Sequence, residues 1–206
     1  MRRSGPRMMG ADASLNHTLQ MKNPTVDLSQ FKPDAYISGQ GSPIRKLLWF
    51  YISAIVFQSA CFPFNVIKVR LLRLFGAKIG EGVNIKPQVY IKYPWRLEVG
   101  NHVWIGEKVW IANEALVKIG SHVCISHESL IMTGGHNFKK PHFDVYANPT
   151  TIEDGVWLGS QSSTGGGIVI GSHAVLAMKS VANANLEPYG IYRGNPAVKV
   201  KERVIE

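Results

Sequence analysis

The chain is predicted to fold as an all-β parallel β-helix of about five triangular coils. Three observations predict it. First, an aliphatic residue returns every six positions: Ile79, Ile85, Ile91, then Val99, Ile105, Ile111, then Ile119, Ile125, Ile131, and after a gap Ile152, Leu158, Thr164, then Ile170, Leu176, Ala182. Thirteen of these fifteen positions are Ile, Leu or Val, so the register is strict. Second, the residue two places earlier is Val or small, as at Val83, Val89, Val103, Val109, Val117, Val123, Ser129, Val156, Ala174 and Ser180. Third, the residue after the aliphatic is often glycine: Gly80, Gly100, Gly106, Gly120, Gly159, Gly165 and Gly171.

A six-residue period does not fit a helix, whose apolar stripe recurs every 3.6 residues. It fits short strands, in which alternate residues share a face. The aliphatic and the residue two before it then point inward. The following glycine is expected at a corner, where its freedom to take positive φ is useful. Three strands and three corners close a coil of about eighteen residues, and coils start near Ile79, Val99, Ile119, Ile152 and Ile170. A sandwich of short strands is disfavoured because sandwiches keep no such register.

Two departures from the period stand out. The steps from Ile91 to Val99 and from Ile111 to Ile119 are eight residues long. These insertions carry Tyr93-Pro94-Trp95-Arg96 and Ala112-Asn113-Glu114, and should stack on one edge. After His136 the rhythm stops, and it resumes at Ile152. The excursion over 137–151 holds Phe138, His142, Phe143 and Tyr146, too aromatic for a plain linker.

Four segments follow. Residues 1–43 are a polar extension, expected to be mobile or draped over a neighbour. Residues 44–75 form an apolar helical segment, 76–187 the β-helix, and 188–206 a C-terminal segment with a short helix. The apolar run Leu47 to Phe64 is interrupted by Ser53, Gln58, Ser59 and Pro63, which favours a packed helix over a membrane span and leaves peripheral membrane contact open. Arg2, Arg3 and Arg7 precede no apolar signal region. Cys61 and Cys124 make neither a disulfide framework nor a metal pair, which suits a reducing cytoplasm, with the inner face of the membrane as a variant of that location. The net charge of +9 suits a polyanionic ligand; the basic residues are scattered and form no nucleic-acid motif.

Several segments together resemble the hexapeptide-repeat acyltransferases, closest to the colanic-acid-biosynthesis type of acetyltransferase. They are Leu71-Leu72-Arg73-Leu74-Phe75-Gly76-Ala77-Lys78-Ile79-Gly80, Ile91 to Leu97, Thr150 to Gly159 and Gly194-Asn195-Pro196-Ala197. The resemblance covers roughly residues 27–202. It implies a left-handed coil, against the general right-handed rule for parallel crossovers. It also implies a homotrimer with active sites between subunits, acetyl-CoA as acyl donor, no metal, and a carbohydrate acceptor that is free, nucleotide-linked or lipid-linked. The expected reaction is acetyl transfer to a sugar hydroxyl in exopolysaccharide or surface glycan biosynthesis.

His136, in Thr133-Gly134-Gly135-His136, falls where the resembled enzymes keep their general base. The chemistry asks for one, because a sugar hydroxyl is a poor nucleophile until its proton is removed and imidazole titrates near neutrality. The resemblance further places the Ser160 main-chain N–H at the thioester carbonyl, Trp157 along the acceptor or pantetheine channel, and Met178 beside the pantetheine arm. Ala184 stands where a lysine would meet the coenzyme A phosphates, so Lys179, Arg193 or Lys199 is expected to substitute. Asn113 and Glu114 are expected to face the acceptor, with Glu114 alternatively orienting His136. Two rival readings stay open. One is a non-catalytic scaffold with a degenerate cofactor site. The other is a zinc protein like the gamma-type carbonic anhydrases, which His122-x4-His127 suggests but for which no third histidine is in place.

Overall fold

The computed structural model describes residues 25–32 and 41–206. Within them the six-residue series becomes five stacked coils with three parallel faces. The first face stacks Lys78–Ile79, Leu97–Val99, Val117–Ile119, Thr150–Ile152 and Val169–Ile170. The second stacks Asn84–Ile85, Trp104–Ile105, Cys124–Ile125, Trp157–Leu158 and Val175–Leu176. The third stacks Tyr90–Ile91, Trp110–Ala112, Leu130–Met132, Ser163–Thr164 and Val181–Ala182. The register sets aliphatic on aliphatic, as in Ile79 on Val99, Val99 on Ile119 and Ile119 on Ile152. None of the fifteen series positions is more than 9 % exposed, so the repeat is the core.

The glycines have a different reason from the one expected. The residue after the aliphatic does not hold the positive φ; the third residue after it does. That site is glycine at Gly82, Gly155 and Gly167 but Gln88, His102, Lys108, His122, Glu128, Gln161, His173 or Lys179 at other corners, with φ between 54° and 61° for the non-glycines. The glycines after the aliphatic are needed for close approach. A Cβ on Gly100 would lie 2.7 Å from the Gly120 carbonyl carbon, and one on Gly159 2.6 Å from the Met178 nitrogen. Coil-to-coil hydrogen bonds draw the backbones too close for a side chain there.

A parallel solenoid ends in two open edges of unpaired main-chain groups. At the first coil the cover is a helical layer, formed as two helices where one segment was expected. The first, α1, spans Pro43–Ile52 and runs on through a π turn at Ser53–Phe57; the second, α2, spans Asn65–Leu74, and Pro63 lies in the break. Ser42 caps α1 by accepting from the Arg45 N–H. The inner stripe Trp49, Ser53 and Phe57 is buried against the first coil. The layer also supplies donors to the open edge. Trp49 Nε1 donates to the Ile91 carbonyl at 2.8 Å, Asn65 Nδ2 to Val83 at 2.8 Å, and Arg73 to Ile79 and Gly80 at 2.8 Å. Lys68 Nζ reaches the carbonyls of Ile85 and Lys86, and burial pushes its ammonium below the ordinary value.

The C-terminal helix expected within 188–206 is not formed. Gly190–Gly194 and Ala197–Glu202 make an antiparallel hairpin, whose first strand extends the second face by pairing with Val175–Leu176. The alternation Val198-Lys199-Val200-Lys201 has the period of a strand, and the last coil's edge offers it a partner. The excursion is also a hairpin: Gly134–His136 pairs antiparallel with Val145–Ala147, so it starts three residues before the expected 137. Of the polar extension expected over residues 1–43, positions 1–24 and 33–40 lie outside the described residues. Residues 25–32 carry a short 3-10 turn capped by Asp27, whose N–H donates to the Pro141 carbonyl of the excursion at 2.8 Å. Among the described residues no helix is long and apolar enough to cross a membrane.

Gly165 tests the close-approach account, because a Cβ there would meet only ordinary contacts at 3.6 Å and beyond. Gly100→Ala is expected to cost about 1–3 kcal/mol, and Gly165→Ala less than about 0.5 kcal/mol, in denaturant titrations at matched protein concentration. Equal costs would sink that explanation.

Candidate active site

The insertions stack on the edge between the third and first faces, as expected, but they do not leave Asn113 facing an acceptor. Asn113 is fully buried. Its Oδ1 accepts from the Tyr93 N–H at 2.9 Å, and its Nδ2 donates to the carbonyls of Tyr93 at 2.6 Å and Arg96 at 3.0 Å. Its polar atoms therefore hold the loop of the preceding coil and cannot bind substrate. One coil on, Thr133 does the same, accepting from the Ala115 N–H and donating to the Ala112 carbonyl. Residues 93, 113 and 133 are spaced by twenty, so the polar pair on the edge column was the available signal.

Glu114 points the other way. It forms an ion pair with Lys92, its side chain is 14 % exposed, and its second oxygen, Oε2, has no partner among the described residues. Burial alone would lower the Lys92 ammonium; the hydrogen bond and charge of Glu114 outweigh it and raise the value. Glu114 packs under Gly134, where a Cβ would lie 3.1 Å from its carboxyl carbon. Lys92, Glu114, Met132, Gly135, His136 and Val145 line one hollow of about 270 Å³. Among the described residues no hydrogen bond joins Glu114 to His136: Glu114 pairs with Lys92 and His136 Nδ1 with the Phe143 carbonyl.

His136 ends the first strand of the excursion hairpin. Its Nδ1 lies 2.9 Å from the Phe143 carbonyl, and its ring stacks on Phe143 at 4.6 Å and 17°. Phe31 of the 25–32 segment covers it at 5.8 Å. A carbonyl oxygen only accepts, so Nδ1 carries the proton and Nε2 of the neutral ring keeps its lone pair. The turn that allows this puts Phe143 at φ 54°, a left-handed conformation rare outside glycine.

Trp157, Ser160, Met178 and Lys179 lie on or beside a different edge, between the second and third faces. Trp157 stands outward, 47 % exposed, and its Nε1 donates to Ser126 Oγ at 2.9 Å. This edge differs from the one between the first and second faces. There, the N–H groups of Glu81, Asn101, Ser121 and Ser172 are all taken by side-chain acceptors. On the edge carrying Ser160, the N–H groups of His127, Ser160 and Met178 find no acceptor among the described residues. Lys199 is engaged by Glu187 and Glu202 at 2.7 Å, which holds its ammonium well above the ordinary range. Lys179 and Arg193 have no carboxylate partner among the described residues. A six-residue face separates the two edges, a span of about 20 Å at strand rise. One chain therefore does not bring His136 and Ser160 together.

The histidine pair of the zinc reading does not converge. His122 stacks on His102 at 5.2 Å on one edge, while His127 pairs with Glu107 on the next. Among the described residues no three potential ligands cluster.

Comparison with known proteins agrees with this architecture. The chain is 36 % identical over 178 residues to the protein of Escherichia coli K12 assigned as colanic acid biosynthesis acetyltransferase WcaF, spanning 86 % of this chain and 97 % of that one. The chain belongs to the hexapeptide-repeat acetyltransferases. It is also 27 % identical to the galactoside O-acetyltransferase of E. coli K12 over 64 % of this chain and 66 % of that one. A hexapeptide-repeat acetyltransferase from Vibrio cholerae superposes with a TM-score of 0.72 at 22 % identity, covering 82 % of this chain and 98 % of that one. The same enzyme with acetyl coenzyme A bound gives 0.71 over 79 % and 88 %. Superposition of that extent requires the same hand of coil, since solenoids of opposite hand do not overlay. No family profile matches the chain.

The raised Lys92 ammonium gives a signed pH test. A raised folded value stabilises below the unfolded value of 10.5 and is lost as pH rises through the folded one. The stability gap between wild type and Glu114→Gln is expected to be full near about pH 8 and to shrink above 10.5. A gap independent of pH would remove the ion pair as its source.

Proposed function

We propose that the protein transfers acetyl from acetyl-CoA to a carbohydrate hydroxyl, with His136 as general base, in a cyclic homotrimer that sets the His136 edge of one copy against the Ser160 edge of the next. The observation that carries the base assignment is the Nδ1–Phe143 hydrogen bond, which leaves Nε2 unprotonated beside the hollow. The unpartnered oxygen of Glu114 supplies an acceptor for a second hydroxyl of the sugar, and so helps position it. A glycan acceptor fits the relationship to WcaF.

The acceptor oxygen attacks the thioester carbonyl carbon as Nε2 takes its proton. Negative charge gathers on the carbonyl oxygen, which the free N–H of Ser160 from the adjoining copy binds. Collapse breaks the carbon–sulfur bond, and the imidazolium returns the proton to the departing thiolate. The open row of N–H groups at His127, Ser160 and Met178 suits the amide-bearing pantetheine arm, with Trp157 alongside. Lys179 and Arg193 are left for the phosphates in place of the missing lysine at Ala184.

His136→Ala is expected to fold, assemble and bind acetyl-CoA in calorimetric titration, yet to lose about 100-fold or more in turnover. Mixed after co-refolding with a Trp157→Ala chain, it should regain activity that neither has alone, since one site then draws intact edges from both. Retained turnover in His136→Ala would remove it as base. No binding at millimolar acetyl-CoA would favour the scaffold reading. For the phosphates, Lys179→Ala is expected to weaken acetyl-CoA about tenfold while Lys199→Ala leaves it unchanged; the reverse would reassign the contact.

A further inference from the structure

The helical layer is apolar on two opposite faces. One face, Trp49, Ser53 and Phe57, closes the first coil. The other is a stripe at helical spacing, Ile44, Leu47, Leu48, Tyr51 and Ile55, each more than half exposed, with Ile44 at 71 % and Ile55 at 67 %. Phe64, Val66 and Leu74 at the ends of the neighbouring α2 are as exposed. A helix apolar on both faces is normally covered on both.

The charge around the stripe says what covers it. Residues 41–80 contain Arg45, Lys46, Lys68, Arg70, Arg73 and Lys78 and no Asp or Glu. Arg45, Lys68 and Arg73 turn inward onto carbonyls, and Lys78 pairs with Glu98. Lys46 and Arg70 have no carboxylate partner among the described residues. Lys46, beside the cavity under α1, and Arg70, outward on α2 near Glu81, leave the two helices net positive, and an apolar stripe on a net-positive layer matches a surface that is apolar below and anionic above. A second copy meeting this face on itself would set like charges together, and in a cyclic trimer a sister copy would have to cover it with a different surface, an outcome that the test below separates. In a cyclic assembly every copy presents the stripe at the same tilt to the axis, so the copies can meet one plane together.

We propose that the outer stripe of α1 and its π turn docks on an anionic phospholipid bilayer. Beneath the stripe, Lys46, Trp49, Phe50, Tyr90, Tyr93 and Trp95 line a cavity of about 270 Å³. Lys92 lines both this cavity and the His136 hollow. Docking by α1 therefore puts a bilayer beside the cavity that shares Lys92 with the His136 hollow, which favours an acceptor carried on a lipid. The docking surface itself does not depend on the transfer chemistry.

The test is co-sedimentation of the full-length protein with vesicles of phosphatidylcholine alone and with about a quarter phosphatidylglycerol. Wild type is expected to sediment with the anionic vesicles and to be released by salt. Leu47→Ser/Tyr51→Ser/Ile55→Ser should cut binding at least about tenfold while keeping its melting curve and its acetyl-CoA affinity. Arg70→Glu, which leaves the stripe intact, should weaken only the anionic-vesicle binding. Wild type remaining in the supernatant, or the triple variant sedimenting equally, would overturn the proposal. So would a shift of the triple variant to a smaller species in light scattering, which would give the stripe to a sister copy. Acetyl-CoA binding, read in parallel, keeps either failure separate from the transfer reaction.

Discussion

Main-chain hydrogen bonding from coil to coil is the constraint on which the structure depends. It fixes the spacing between backbones, and that spacing calls for glycine at several corners. Gly100 and Gly159 leave no room for a Cβ because the next coil lies directly against them. The same bonding holds His102, Lys108 and Lys179 in left-handed conformations that an isolated turn would seldom keep. A ladder on either side over-determines each corner, so strain at one residue is tolerated.

The ladder also creates the problem that the chain's ends solve. A stack of coils has two exposed edges, and each is closed in its own way. The first is closed by side-chain donors from helices, with Trp49, Asn65, Lys68 and Arg73 standing where another coil's N–H groups would be. The last is closed by a strand, Gly190–Gly194, that prolongs the second face and then folds back on itself. An apolar helical layer is thus a structural need of the solenoid. Its outward stripe is not, and that difference is why the stripe points to a surface outside the chain.

The candidate site sits where the ladder is interrupted. Insertions on one edge are held by Asn113 and Thr133, which turns irregular loops into a rigid platform. From this platform the excursion hairpin leaves, and Phe143 fixes the tautomer of His136. On another edge the regular corners leave N–H groups open at Ser160 and Met178. In the proposed reaction, regular structure would supply the fixed donors and irregular structure the base, with two copies joining them.

The sequence by itself determined the solenoid, its five coils and its inward residues, because a strict six-residue period admits one stacking. It also marked His136 as a candidate, through its place at the break in the rhythm. Only the tertiary structure decided what the glycines are for, since their need lies in the neighbouring coil and not in their own turn. It likewise placed Asn113 in the scaffold, because main-chain groups of Tyr93 and Arg96 in the preceding coil were open to it, and left one oxygen of Glu114 free, because the Lys92 ammonium engages only the other. The C-terminal hairpin replaced the expected helix for the same reason: an alternating valine–lysine run becomes a strand where an open edge is waiting for it.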